Sequence, residues 1–213
     1  SSAAARSSKR AAPRPMLIHV PRVALAILRG RAQRAGASAG VGFATPHVYT
    51  ARAGLAFDTD FFGHMNNSAY LVHCELARWE MTAASGLLDY VLREKAAFIV
   101  GMTAIRYRRE IKPLQRFEIH SQMVAHDDKW MTIEHQFRNP GSEDLLATTM
   151  VRACLKQKGG SLSPRTMLRG LGIADADTAP EPRPELKEVL DSMLTLDGAL
   201  KRAAQKAAPP RQP

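Results

Sequence analysis

The sequence predicts an α+β fold in which one long helix lies against a long antiparallel β-sheet. Residues 67–85 form an amphipathic segment of helical length, which begins beside a capping asparagine and ends at Gly86. Residues 117–126 and 129–137 form the two arms of a hairpin around a pair of aspartates. In the second arm, polar side chains alternate with side chains that are expected to point inward, which indicates a strand with one buried face. The inward side chains are Met131, Ile133, His135 and Phe137.

The remaining elements complete a sheet interrupted by a single helix. We expect a first strand at residues 47–57, before the helix, and two more strands at residues 97–110 and 144–158. The expected order is therefore β–α–β–β–β–β. Two further helices are expected at residues 163–171 and 184–206, and the second of these carries apolar side chains at helical spacing.

Composition divides the chain into four parts. Residues 1–42 form a basic arm rich in Ala and Arg, with a short amphipathic helix over residues 21–36 whose first turn holds Pro21. Residues 46–158 form the globular domain, residues 159–207 a C-terminal helical extension, and residues 208–213 a tail.

The net charge of +10 is concentrated in the arm. No Asp or Glu precedes Asp58, whereas nine of the 30 basic residues do, and the other 21 nearly balance the 20 acidic residues. An acid-free segment rich in Ser, Ala and Arg is typical of mitochondrial targeting sequences, so we expect a mitochondrial location. The alternative is a generic basic tail.

Cysteine usage and hydropathy narrow the class of protein. Cys74 and Cys154 are too few for a disulfide scaffold, which favours a reducing compartment. No apolar run reaches the length of a membrane span, so we expect no transmembrane segment. A weaker option is that the helix at residues 21–36 lies on a membrane surface, since it is both cationic and apolar.

The strongest chemical signal is the stretch DTDFFGHMNNSAYL at residues 58–71. It places an acidic pair, a Gly-His turn and tandem asparagines directly before the amphipathic helix. The first backbone N–H groups of a helix have no partner inside the helix and carry partial positive charge. A carboxylate beside such N–H groups offers a base or nucleophile together with donors that polarise a carbonyl, as thioester hydrolysis requires.

This stretch resembles the signature of hotdog-fold acyl-CoA thioesterases of the 4-hydroxybenzoyl-CoA thioesterase type. The likeness spans roughly residues 46–202 and is similar to the subfamily typified by thioesterase superfamily member six. Its other matching stretches are residues 105–109, 117–119, 127–130, 134–137, 163–164 and 182–202. The resemblance implies a hotdog fold, in which the antiparallel sheet wraps around one central helix, here with the basic arm and the C-terminal extension added.

The resemblance also implies roles for single residues. Asp60 aligns with the family's catalytic carboxylate, and the resemblance makes it the base or the nucleophile. His64 is expected to bind substrate or orient Asp60, and Asn66 to position the water or the thioester. The residues expected to bind substrate are Gly63, Asn67, Phe61, Phe62 and Tyr70. The two adjacent phenylalanines depart from many active relatives, and either form a wall for the acyl group or block the pocket.

The implied partners follow from the same family. An acyl-CoA thioester is the expected substrate, no cofactor or metal is required, and the expected assembly is a homodimer or a hotdog–hotdog dimer with active sites at the interface. Each site residue also has a structural interpretation: Asp60, His64 and Asn66 as hydrogen-bonding loop residues, and Tyr70 as core packing.

A second hypothesis is that the chain is a hotdog subunit recruited into a large mitochondrial assembly, either a mitochondrial ribosome or a respiratory or ATP-synthase complex. In that case residues 1–35 contact RNA or protein neighbours. The basic residues at 106–116 allow either binding of CoA or RNA phosphates or a solvated strand edge, which is the more common situation.

Three other positions carry chemically capable side chains. Cys74 lies on the same helix face as Tyr70 and is expected to be a buried small side chain. Glu75 and Arg78 are three residues apart and are expected to form a helix ion pair. His135 alternates with apolar residues and is expected to be a hydrogen-bonded core histidine.

Overall fold

The computed structural model describes residues 16–36, 40–173 and 180–207. Most of the expected basic arm before the helix (residues 1–15) and the expected tail (208–213) lie outside the described residues. Along the described part of the chain, helices and strands follow in this order: α1 (Met16–Arg34), β1 (His47–Arg52), α2 (Asn67–Ala84), α3 (Leu87–Arg93), β2 (Ala97–Tyr107), β3 (Arg116–His126), β4 (Met131–Arg138), β5 (Leu145–Gln157), β6 (Gly160–Leu162), α4 (Pro164–Gly170) and α5 (Pro184–Ala207).

The strands form one antiparallel sheet in the order β1-β3-β4-β5-β2, and β6 pairs with the end of β5. Long helix α2 packs on one face of this sheet, where Tyr70 and Leu76 join Phe117, Ile119 and Phe137 in the core. The predicted α+β arrangement of one central helix on a long antiparallel sheet is therefore confirmed.

The alternation predicted for strand β4 is also confirmed, with one addition. The four expected inward side chains are at most 1% exposed: Met131, Ile133, His135 and Phe137. Thr132 and Glu134 on the opposite face are nearly as buried, at 8% and 6%. Helix α5 and the residues before it cover that second face, where Leu186 and Met193 pack against Val124 and Met150. The C-terminal extension thus turns an exposed face of the sheet into a second core.

Two short elements were not predicted. Gly86, with a φ of +81°, ends α2 and at once precedes α3, so one glycine serves both helices. Helix α3 then buries Leu87 and Tyr90 against the sheet core. Strand β6 is three residues long and returns along β5 after the turn at residues 158–159.

Helix α1 differs from the predicted short helix in both length and position. It begins at Met16 rather than at Pro21, which lies inside it, and it packs along α2 with Ala26 in the core. Gly30 is buried at the crossing, where a Cβ would lie 2.2 Å from the Glu80 carbonyl oxygen. Close approach of the two helices therefore depends on the absence of a side chain at residue 30.

The arginines of α1 pair with acids of the globular part. Arg22 contacts the buried Asp58 at 3.4 Å, and Arg29 contacts the fully buried Glu80 at 3.4 Å. Arg31 and Arg34 both bind Asp89 of α3. Four arginines expected in a basic arm thus pair with three acids of the fold. Within the described residues, no helix combines the length and the hydropathy needed to cross a membrane.

Candidate functional site

The loop before α2 is a tight turn built around Asp60. Its backbone N–H donates to the His64 carbonyl at 2.9 Å, and the Gly63 N–H donates to the Asp60 carbonyl at 3.2 Å. Gly63 has a φ of +77°, a conformation that strains other residues, so glycine is required for the turn itself. Gly63 thus has a structural role in shaping the turn. Its expected role in substrate binding stays a prediction.

The turn fixes the Asp60 carboxylate through one of its two oxygens. Oδ1 accepts hydrogen bonds from the backbone N–H groups of Phe62 at 2.9 Å and His64 at 3.2 Å. Among the described residues, none donates a hydrogen bond to Oδ2. One oxygen is thus held in place while the other is available to water or to a carbonyl carbon.

Asn66 is the N-cap of α2. Its side-chain Oδ1 accepts from the Ala69 N–H at 2.8 Å and from the Ser68 hydroxyl at 2.6 Å, and its Nδ2 donates to the Phe57 carbonyl at 3.1 Å. These bonds explain why the helix begins at this residue. They also occupy the amide that the resemblance assigns to positioning the substrate.

The first turn of α2 leaves two donors free. The backbone N–H groups of Asn67 and Ser68 donate to no acceptor within the described part of the chain. Unpaired N–H groups at a helix N-terminus carry partial positive charge and stabilise a developing anion. The sequence predicts free N–H groups near residues 66–68; those of Asn67 and Ser68 are free among the described residues, whereas the Asn66 N–H donates to the Asp58 carbonyl at 2.8 Å.

A cavity of about 280 Å³ brings the carboxylate and the helix terminus together. Of the eight predicted site residues, four line it: Asp60, His64, Asn67 and Tyr70. The cap Asn66 and the turn residue Gly63 do not. Phe61 and Phe62 point into solvent, with exposures of 106% and 83%, so in this chain they neither line nor block the cavity.

The His64 ring contacts Glu110 rather than the Asp60 carboxylate. Its Nε2 lies 2.8 Å from Glu110, and both side chains are more than 40% exposed. Its backbone N–H, rather than its ring, orients Asp60. The imidazole therefore lies on the cavity wall in contact with Glu110.

Two polar residues of the cavity, Tyr107 and Glu110, were not predicted from the sequence as site residues, and neither was the buried Met65. Tyr107 packs edge-on against Tyr70, with 5.0 Å between ring centroids, and its hydroxyl reaches the Asn67 carbonyl at 3.5 Å. Glu110 contributes the partner of His64. Both lie about 40 residues after the turn, and the pairing of β2 with β5 brings them there. Burial raises the pKa of Tyr70 to about 12, so this phenol stays protonated at neutral pH.

Two arginines complete the rim. Arg108 and Arg109 directly follow the end of β2 at Tyr107. The backbone N–H groups of both arginines donate to the same Leu146 carbonyl, a bulge that lets both side chains line the cavity. Arg109 contacts Asp144 at 3.2 Å, whereas Arg108 forms no ion pair among the described residues.

Asp58 anchors the loop from beneath. It is 4% exposed, accepts from the Gly54 N–H at 2.9 Å and contacts His73 Nε2 at 3.0 Å and Arg22. Burial by itself raises the pKa of Asp58, but the hydrogen bonds from His73 and Gly54 outweigh it and hold the pKa below 3.8. Asp58 is a structural anion under the site.

Cys74 and His135 are part of the core. Cys74 is 1% exposed, and burial raises the pKa of its thiol to about 11, which makes it inert. His135 is fully buried and bonded to Ser121 at 2.8 Å, as expected. The expected Glu75–Arg78 ion pair is wrong: Glu75 instead contacts His19 at 3.2 Å and accepts from Trp79 at 3.4 Å.

Comparison with known proteins places this geometry in a family. A family model described as the thioesterase-like superfamily matches residues 55–190. Protein THEM6 of Danio rerio is 35% identical over 98 residues, which cover 46% of this chain and 48% of that protein. Thioesterase poxG of Penicillium oxalicum is 28% identical over 116 residues, or 48% of this chain and 38% of that protein. The chain spans less than half the length of these curated relatives.

Solved structures share the fold. The probable thioesterase YbaW of Escherichia coli superposes with a TM-score of 0.53 at 21% identity, over 58% of this chain and 94% of that one. The Staphylococcus aureus protein SAV2348, solved in complex with CoA, gives a TM-score of 0.53 at 14% identity, over 64% and 85% of the two chains. The fold is the hotdog fold, and because the family model covers more than half of its length, the chain belongs to the thioesterase-like superfamily.

Proposed function

We propose that this chain hydrolyses an acyl-CoA thioester to the free acid and CoA, with Asp60 as the reacting carboxylate. One observation carries the proposal. One cavity is lined by Asp60, a carboxylate with a free oxygen, and by Asn67 at the N-terminus of α2, where the N–H groups of Asn67 and its neighbour Ser68 are unpaired within the described residues. Membership of the thioesterase-like superfamily supports the same reaction class.

The free oxygen of Asp60 allows two routes to hydrolysis of the thioester. As a base, it takes a proton from a water molecule, and the water oxygen forms a bond to the thioester carbon. As a nucleophile, it forms that bond itself, giving a mixed anhydride that water then cleaves. In both routes the carbon–sulfur bond breaks and the CoA sulfur leaves with the electron pair. The N–H groups of Asn67 and Ser68 stabilise negative charge on the carbonyl oxygen.

The arginines at the rim suit the phosphates of CoA. Arg108 lines the cavity without an ion-pair partner among the described residues, and Arg109 lies beside it. Guanidinium groups bind phosphate through paired N–H donors. The CoA complex of SAV2348 shows that a protein of this fold accepts the molecule.

We also propose that the chain forms a homodimer through β2. This strand is 11 residues long, lies at the edge of the sheet and leaves Ile99 and Val100 more than 40% exposed. A long apolar edge strand is a template for pairing with another chain. Strand pairing across a two-fold axis would satisfy its open backbone groups.

The recruited-subunit hypothesis receives no support from these comparisons. The part of residues 1–35 that the structure describes is mostly helix α1, and its arginines pair with Asp58, Glu80 and Asp89, although Arg31 and Arg34 stay about half exposed. A mitochondrial location stays a proposal, supported by the acid-free composition of the first 57 residues.

The test compares hydrolysis by the wild-type chain and by Asp60→Asn. Free thiol is measured across short, long and aromatic acyl-CoA substrates. Asparagine keeps an oxygen that accepts the bonds from Phe62 and His64, so the turn survives while the base or nucleophile is lost. We expect kcat/KM to fall roughly a hundredfold to ten-thousandfold.

Asp128→Asn is the matched control, since Asp128 is an exposed acid in the hairpin turn and does not line the cavity. It should hydrolyse like wild type. Equal turnover by wild type and Asp60→Asn would remove Asp60 from the reaction. An absence of turnover on every substrate by the folded wild-type chain would overturn the proposed hydrolysis.

A further inference from the structure

A second and larger cavity lies at the other end of α2. It has a volume of about 560 Å³ and runs between α2, α3 and the start of β2. Most of its wall is apolar, with Trp79, Leu87, Leu88, Val91, Phe98 and Val100 among its lining residues. A groove of this size and composition suits the hydrocarbon part of a small molecule. We call it the α2–α3 groove.

One cation lines this apolar groove. Arg78 projects from α2, is partly buried, and its Nη1 lies 3.4 Å from Nε2 of His135. Because arginine only donates, Nε2 must accept, so the imidazole proton sits on Nδ1 and is donated to the Ser121 hydroxyl at 2.8 Å. His135 therefore accepts a hydrogen bond from the guanidinium but has no negative charge to balance its positive charge.

Within the described residues the guanidinium has no ion-pair partner, although Glu75 also lines the groove. Among the described residues, no carboxylate lies within ion-pair distance of Arg78, and the nearby Glu75 is engaged with His19 and Trp79. Withdrawing a cation from water is costly unless an anion or several hydrogen bonds replace the water. Burial accordingly lowers the pKa of Arg78, while Cys74 and Glu75 oppose that shift. An anionic ligand would supply the missing partner.

The groove and the Asp60 cavity lie along the same side of α2. Asn67 lines the first cavity and Arg78 the second, and the exposed Leu71 lies between them on the same helical stripe. Eleven residues of helix separate Asn67 from Arg78, or roughly 16 Å. An extended chain lying beside α2 would connect the two cavities.

We propose that the α2–α3 groove binds an apolar chain that ends in a carboxylate, with the carboxylate paired to Arg78. This chemistry has two sources. One is a free apolar carboxylic acid. The other is an acyl group whose far end carries a carboxylate and whose thioester lies at Asp60; this second source rests on the proposed hydrolysis, whereas the first does not.

The test is the binding of dodecanoate and dodecanol, measured by calorimetry on the full chain below their aggregation concentrations. These probes share a hydrocarbon chain and differ in charge. Dodecanoate should bind wild type roughly tenfold to a hundredfold more tightly than dodecanol, the range for a charge-assisted pair. Arg78→Gln should abolish that difference, and Arg78→Lys should restore much of it.

Three further measurements locate the binding site and distinguish a loss of binding from a loss of folding. In a Trp130→Phe chain, Trp79 is the single remaining tryptophan, so its fluorescence should respond to dodecanoate. Leu92→Glu adds an acid to the groove at a side chain that is 63% exposed, and should weaken dodecanoate while sparing dodecanol. Arg93→Gln, an exposed arginine of α3 that does not line the groove, is the control and should bind like wild type.

The two sources are separated with S-alkyl-CoA thioethers, which cannot be hydrolysed. If the carboxylate is the far end of an acyl group, the thioether with a terminal carboxylate binds more tightly than the plain one, and Arg78→Gln removes the advantage. If the ligand is the free acid, the two thioethers bind alike while dodecanoate still depends on Arg78. Equal binding of dodecanoate and dodecanol by wild type, or dodecanoate binding that survives both Arg78→Gln and Leu92→Glu, would overturn the proposal.

Discussion

Replacing Gly30 with alanine tests whether helix α1 is part of the folded unit. A Cβ at this residue would lie 2.2 Å from the Glu80 carbonyl oxygen and 2.8 Å from the Ala83 Cβ. Both atoms belong to helix α2 and cannot swing aside. Real Cβ contacts stay beyond 3.0 Å, so α1 must retreat by at least about 0.8 Å, the difference between the two distances. That movement loosens the Gln33–Glu80 hydrogen bond of 3.0 Å.

Two terms of opposite sign set the magnitude. Gly→Ala inside a helix is favourable by about 1 kcal/mol, because glycine has more conformational freedom to lose. Forcing a methyl group into a packed interface costs about 1–3 kcal/mol. Gly198→Ala isolates the first term, since a Cβ in α5 would meet only the mobile end of Arg202 at 3.3 Å. The free energy of unfolding of Gly30→Ala should therefore lie about 1–3 kcal/mol below that of Gly198→Ala.

Urea unfolding of both variants, followed by circular dichroism, gives the comparison. Amide hydrogen exchange adds a local measurement: Gly30→Ala should lose protection in α1 before any other helix. If both glycine variants are stabilised equally, α1 does not pack on α2 as described. The ion pairs of Arg22 and Arg29 with the globular part would then not form either.

The remaining predictions concern pH and assembly. Burial raises the pKa of Glu80 above 4.5 against the opposing effects of Arg29 and Gln33, so the folded state favours the protonated acid and loses stability as pH rises through that pKa. Glu80→Gln should remove this loss. Urea unfolding at a series of pH values should show that the free energy of unfolding of Glu80→Gln exceeds that of wild type by an amount that grows above pH 4.5. A difference that does not change with pH would contradict the raised pKa of Glu80. In sedimentation, Ile99→Lys on edge strand β2 should shift a dimer towards monomer by opposing like charges, whereas Val48→Lys on the opposite edge should not; dimers that persist in Ile99→Lys would rule out pairing through β2.

Local patterns predicted most of the fold because each strand and helix has a characteristic period. The period-two alternation of β4 identified the inward side chains from Met131 to Phe137, and Asn66 and Gly86 marked the ends of α2. Helix α3 was missed because Gly86 was interpreted only as an end, although the same glycine also begins the next helix. A glycine that terminates one helix gives no information about the type of the next element.

Contacts between distant segments were harder to predict. The sequence identified Asp60 and the free N–H groups because they are close along the chain. It did not place Tyr107 and Glu110 in the cavity, since that depends on the register of β2 and on the bulge at Leu146. Nor did it pair Arg22 with Asp58, since basic residues in an acid-free segment give no indication of which distant acids they will meet.

The docking of α1 has a practical consequence for anyone who shortens this protein. The family match begins at residue 55, so an expression boundary chosen from family alignment would discard α1 and β1 together. Glu80 is 0% exposed and Asp58 is 4% exposed in the intact fold. Trimming there would open both carboxylates to water and remove their arginine neighbours, and the shortened product would be a poor reagent for measuring hydrolysis. An assay of this chemistry should begin from a chain that keeps residues 16–36.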